Sequence, residues 1–133
     1  MVAEMDLKYV SVRRLGEVAV LRPHQSLLGG EESEEFRGIV KGLDGERLRC
    51  LVINLRDVDL LNSLGLGTLV DAHQRFAERG GRVCLVAANK RVQDLFALIR
   101  LGVVIDCFPT EEAAIEGCTG KGADATRTAF GHP

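Results

Sequence analysis

The run from Leu48 to Leu55 (LRCLVINL) is apolar at almost every position, and a helical pattern begins only eight residues later, at Ser63. A strand without polar alternation is buried on both faces, so this segment demands a sheet with helices packed against it. From Ser63 to Arg79, Leu66, Leu69, Val70, His73, Phe76 and Ala77 recur on one side of a helix, and Gly80-Gly81 ends it. The alternation then repeats. Arg82 to Ala88 (RVCLVAA) reads as a second buried strand, and Lys90 to Leu101 carries Val92, Leu95, Phe96, Leu98 and Ile99 at helical spacing before Gly102. Val103 to Phe108 (VVIDCF) is a last short strand. Pro109-Thr110 opens a final helix with Glu111 and Glu112 in its first turn.

Upstream, Lys8 to Arg14 and Val18 to Leu21 read as an opening hairpin turning at Leu15-Gly16-Glu17. After Gly29-Gly30, the acidic residues Glu31, Glu32, Glu34 and Glu35 start a helix whose apolar side holds Phe36, Ile39, Val40 and Leu43. Acidic side chains in a first turn complement the positive end of the helix dipole. The order β-β-α-β-α-β-α-β-α describes an α/β fold: a mixed sheet of four to five strands with about four helices against it. Its alternating second half implies parallel neighbours joined by right-handed crossovers. One domain is expected over residues 1–117. Residues 118–133 (CTGKGADATRTAFGHP), with little to bury, read as a flexible tail.

Charge and composition narrow the function. With 19 acidic and 17 basic residues and a pI near 5.9, the chain lacks the basic character of a nucleic-acid binder, and at 5% aromatics it has few stacking platforms. The N-terminus has no basic segment followed by an apolar one, and no apolar run is long enough to cross a bilayer. The expectation is a cytoplasmic protein without membrane insertion. Cys50, Cys84, Cys107 and Cys118 form no CxxC pair and are expected as reduced thiols, three of them in or beside apolar strands. His24, His73 and His132 are scattered, so neither a metal site nor another cofactor is expected.

The chemically suggestive point is the turn Asn62-Ser63. A hydroxyl at a helix start either caps unpaired N–H groups or stands out as a group to be modified. A phosphoserine there would add roughly −1.5 to −2 charges, which the helix tolerates and an apolar partner surface does not. Gly65 and Gly67, each costing about 1 kcal/mol against alanine in a helix, imply close backbone approach to the chain's own sheet or to a partner. Their spacing matches neither a P-loop nor G-x-G-x-x-G. Asp57 and Asp59 follow the central strand, but that strand ends in Asn54-Leu55, without the acceptor aspartate of a receiver domain. Nothing here points to an enzyme.

Two linked motifs, LVINLRDVDLLNSLGLGTLVDAHQRF and GGRVCLVAANKRVQDLFALIRLGVVIDCFPTEEAAI, together resemble a STAS domain of the anti-sigma factor antagonist type, from about Lys8 to Gly117. The resemblance implies a STAS-like fold and a binding protein, not an enzyme. It implies a partner that is an anti-sigma factor, often a serine kinase, with a phosphatase to reset the switch. By position the phosphorylation site is Ser63. The implied contact surface is Asn62, Ser63, Leu64, Gly65, Leu66 and Thr68, with the nearby Asp57 and Asp59. Two departures stand out: Asn62 occupies the position of an aspartate that usually precedes the serine, and Asn54 that of an aspartate common at the strand end. A second reading is an accessory subunit or scaffold that docks on a transporter ATPase or a stress-signalling complex without phosphorylation.

Overall fold

Six strands hydrogen-bond to one another in the order in which the chain makes them. The structure, a computed structural model, describes residues 2–46, 48–100 and 105–119. Its elements are β1 (Val2–Asp6), β2 (Val10–Leu15), β3 (Val18–Pro23), α1 (Glu31–Asp44), β4 (Cys50–Asn54), α2 (Ser63–Glu78), β5 (Arg82–Val86), α3 (Lys90–Ile99), β6 (Asp106–Phe108) and α4 (Glu111–Cys118). β1, β2 and β3 are antiparallel neighbours, and β3 to β6 run parallel. The turn between β2 and β3 is the expected one, with Gly16 at φ +63°.

The sheet thus has six strands, not four to five. The additional strand, VAEMD, shows too little apolar alternation to be read from sequence. It pairs antiparallel with β2, with Glu4 opposite Arg13 and Asp6 opposite Ser11, whose hydroxyl donates to the Asp6 carboxylate. An edge strand can carry charge where a central one cannot.

α1, α2 and α3 bury Phe36, Val40, Leu69, Phe76, Val92 and Phe96 against Leu21, Leu51, Ile53 and Leu85 on one face of the sheet. Among the described residues, α4 is the helix that covers the other face, over Val18, Val20, Val52, Cys84 and Val86. β4 lies between the two layers and is buried at every position, which its unbroken apolar run required.

The cysteines overturn the expectation of reduced thiols throughout. Cys50 and Cys118 form a disulfide, with Cα atoms 5.8 Å apart, because the last turn of α4 lies over the first residue of β4. Cys84 and Cys107 are buried and lie outside that disulfide. α4 continues one residue past Gly117. Residues 120–133 of the expected tail, and Leu101 to Val104, lie outside the described residues. α3 ends on Arg100, which takes the left-handed conformation at φ +58°.

Candidate functional site at the Asn62-Ser63 turn

α2 starts because Asn62 caps it. Its Oδ1 accepts the Gly65 N–H at 2.9 Å, and its carbonyl takes the first helical bond, from Leu66 N at 2.9 Å. Its Nδ2 donates to the Leu28 carbonyl oxygen at 2.8 Å, tying the helix to the loop between β3 and α1. Since Asn62 serves as the cap, the Ser63 hydroxyl is not spent on it. Ser63 is the first residue of the helix and is exposed. The first turn holds no acidic residue, so the positive end of the dipole faces outward uncompensated.

Two loops are laced together beneath this turn. Leu27 N–H donates to the Leu60 carbonyl at 3.2 Å, Leu60 N–H to Ser26 Oγ at 3.0 Å, and Leu27 bridges to Leu61. The approach is close enough that a Cβ on Gly65 would sit 1.9 Å from the Leu27 carbonyl oxygen. A Cβ on Gly67 would meet nothing. Only the first glycine is required by the domain itself. Leu28, Leu60 and Leu64 remain 46%, 43% and 60% exposed, an apolar patch beside Ser63. Gly29, at φ +89°, makes room for the Leu64 side chain.

The β3–α1 loop folds around Glu32. Its Oε2 accepts from Leu28 N at 2.7 Å, Gly30 N at 3.1 Å and Ser33 Oγ at 2.8 Å. Burial pushes the Glu32 carboxyl up, but these bonds from Leu28, Ser33 and Gly30 together outweigh it and hold the group below its ordinary range. The acidic run therefore does more than complement a dipole. Glu31 accepts from the Tyr9 hydroxyl and Glu35 from the Tyr9 N–H.

Of the contact residues expected from sequence, Asn62, Ser63 and Leu64 are exposed at the turn. Asp57 is exposed and pairs with Arg22 at 3.4 Å; Asp59 is exposed, and its carbonyl accepts from Asn89. Gly65 and Thr68, also expected there, are buried, Thr68 only 2% exposed with its hydroxyl on the Gly65 carbonyl. Leu66 is half-buried against the main core. Sequence reasoning missed Leu28, whose only signal was a Leu-Leu pair ahead of two glycines. The basic residues of the second half are largely matched by carboxylates: Arg75 with Asp71, Arg79 with Asp44, Arg82 with Asp106 and Lys90 with Asp94.

Asn54 is buried at the end of β4. Its Nδ2 donates to Glu111 Oε2 at 2.6 Å, and its Oδ1 accepts from Arg56 N at 2.9 Å. Arg13 holds the other oxygen of Glu111 at 2.9 Å. Elsewhere, Ser11 Oγ lies between Asp6 and His24. A carboxylate only accepts, so the serine proton points at Asp6 and His24 must donate, the reverse of a nucleophile activated by a base. Among the described residues no group of three metal-ligating side chains occurs, and no helix is long and apolar enough to cross a membrane.

Residues 9–114 match the family model for the STAS domain. A Thermotoga neapolitana protein, by name a candidate anti-sigma factor antagonist homologous to TM1081, is 27% identical over 71 residues. That stretch is 53% of this chain and 63% of the relative, less than two thirds of its length. The crystal structure of TM1081 from Thermotoga maritima superimposes with a TM-score of 0.74 at 24% identity, covering 81% of this chain and 92% of that one. The anti-sigma factor antagonist SpoIIAA of Bacillus, in its unphosphorylated form, gives 0.64 at 16% identity over 90% of this chain and 99% of its own. SpoIIAA has also been solved phosphorylated, with a TM-score of 0.62 at 18% identity over 87% and 97%. At these identities the structural likenesses establish the fold.

Proposed function

The chain belongs to the STAS domain family, and from that premise we propose that it is an anti-sigma factor antagonist whose binding is switched off by phosphorylation of Ser63. The observation that carries this is the exposed serine at the first position of α2, capped by a different residue and flanked by the exposed Leu28, Leu60 and Leu64. Unmodified, the turn offers a neutral hydroxyl amid leucines, a surface that a partner can bury. A serine kinase transfers the γ-phosphoryl group of ATP to Ser63 Oγ, and the hydroxyl proton leaves. The resulting anion is stabilised by the helix terminus, so the domain stays folded. A partner that buries the leucines would have to desolvate that charge, and it dissociates. The partner is an anti-sigma factor of the serine-kinase type, a phosphatase hydrolyses the ester, and the setting is the cytoplasm. The domain acts by binding and carries no catalysis of its own. The existence of SpoIIAA in both forms supports the reading.

Phosphopeptide mapping across Asp57 to Arg75, on protein recovered from its own cells, tests the switch. Phosphate on Ser63 that disappears when a serine kinase is deleted supports it. A Ser63 that stays bare under every growth condition sinks it and leaves static docking, as in an accessory subunit or scaffold.

A further inference from the structure

The disulfide between Cys50, the first residue of β4, and Cys118, the last of α4, spans 68 positions of sequence. α4 has only eight residues, and those it buries are Ala114, Gly117 and Cys118. Ala113 and Ile115 also pack on the sheet, and at its C-terminal end α4 is held by the covalent tie and by Arg82 donating to the Gly117 carbonyl at 2.9 Å. At the other end Glu111 is gripped by Arg13 and by Asn54, and Asn54 in turn holds the N–H of Arg56. Arg56 opens the loop that leads through Asp57 and Leu60 to Asn62. A continuous set of contacts therefore runs from the disulfide to the loop bordering the Ser63 turn.

We propose that Cys50 and Cys118 form a thiol–disulfide switch. Oxidised, the pair locks α4 to the sheet; reduced, it lets α4 move, slackens the Glu111–Asn54 bond and loosens the Arg56–Leu61 loop. The reductant is a dithiol. One of its thiolates attacks the Cys118 sulfur, the Cys50–Cys118 bond breaks with its electron pair on Cys50, and the second thiol then displaces Cys118. In sum two electrons and two protons pass to the two cysteines, and the dithiol leaves as its own disulfide. An oxidised dithiol drives the reverse exchange. Cys50 is fully buried and Cys118 is 4% exposed, so attack waits for the last turn of α4 to open, and that turn gates the switch. Cys84, in the same apolar cluster, does not compete. Burial pushes its thiol up to about 12, with Arg82 lowering it and Asp106 raising it, and it stays protonated.

This inference is independent of whether Ser63 is phosphorylated, and its test involves no partner. Amide hydrogen exchange would be measured on the full chain in oxidised and reduced dithiothreitol buffers, with thiols counted by alkylation after denaturation. The oxidised protein should show only Cys84 and Cys107 as thiols. On reduction, α4 amides should exchange about tenfold faster and those of Arg56–Leu61 about threefold faster, with β2 and β3 unchanged. Cys118→Ser should match the reduced wild type; if it fails to fold, the reduced wild type alone gives the reading. In Glu111→Ala, reduction should still loosen α4 but no longer change the loop. Four thiols in oxidising buffer, no change in α4, faster exchange throughout the sheet, or an undiminished loop response in Glu111→Ala would each overturn the proposal.

Discussion

Asn62 Nδ2 donates to the Leu28 carbonyl oxygen at 2.8 Å while the other end of the same amide caps α2 through Gly65. An aspartate could make the cap but not the donation. Asn54 repeats the logic, donating to Glu111 Oε2 at 2.6 Å and accepting from Arg56 with its oxygen. Asn62 and Asn54, the two departures noted in the sequence, are therefore two positions at which the side chain makes a donation that an aspartate could not make.

In Asn62→Asp the lost donation to Leu28 should be largely offset by the new carboxylate at the positive end of α2, so chemical denaturation should change by less than about 1 kcal/mol. Asn54→Asp sets a second carboxylate against Glu111 in a buried site and should cost about 2 kcal/mol near neutral pH. That larger deficit should shrink as the medium is acidified and one of the pair takes up a proton. An Asn54→Asp deficit independent of pH would contradict the assignment.

Gly65 and Gly67 should part company when each becomes alanine. At Gly65 the new methyl would overlap the Leu27 carbonyl, so Gly65→Ala should destabilise by about 2 kcal/mol or more. At Gly67 there is only open space, and Gly67→Ala should stabilise the isolated domain by up to about 1 kcal/mol. Gly67 lies on the outer face of α2, one turn beyond Ser63, so the same substitution should weaken partner binding if that glycine lets a partner approach. Thermal denaturation and a binding assay, run on both variants, separate the two roles.

The Glu32 carboxyl gives the stability curve an acid limb with a defined sign. Its folded-state pKa lies below the ordinary value of 4.5, so as pH falls the unfolded chain takes up this proton first. The contribution is complete above about 4.5 and is lost as pH falls through the folded value. Glu32→Gln should lower stability near neutral pH and flatten the curve below pH 4.5. Parallel curves for wild type and variant would show that the carboxylate is not what holds the β3–α1 loop.

Arg100 closes α3 in the left-handed region, at φ +58°. A side chain pays about 1 kcal/mol or more for that conformation, and glycine nothing. After allowing for the greater freedom of glycine in the unfolded chain, Arg100→Gly should raise stability by about 0.5 kcal/mol. A loss of stability in calorimetry would mean that the arginine makes compensating contacts.

Much of this architecture was legible because local signals coincided with tertiary need. The unbroken apolar run at β4, the glycine pair after α2 and the Thr110 cap before α4 each satisfied one element by itself. β1 was not legible, since it pairs with β2 with little apolar alternation of its own, and its side-chain tie, Asp6 to Ser11, depends on a residue of another strand. The disulfide was equally hidden, because only the packing of α4 over β4 brings Cys118 to Cys50. At the turn, sequence located Asn62 and Ser63 but not which neighbours point outward. The inward turn of Gly65 and Thr68 and the exposure of Leu28 depend on how two separate loops meet.

The most direct test of the Ser63 switch is affinity capture from native lysate with wild-type and Ser63→Glu baits of equal measured stability, read by mass spectrometry. The account predicts a kinase-type anti-sigma factor held by the wild type and lost by the Glu variant. The same partner held equally by both baits would contradict it.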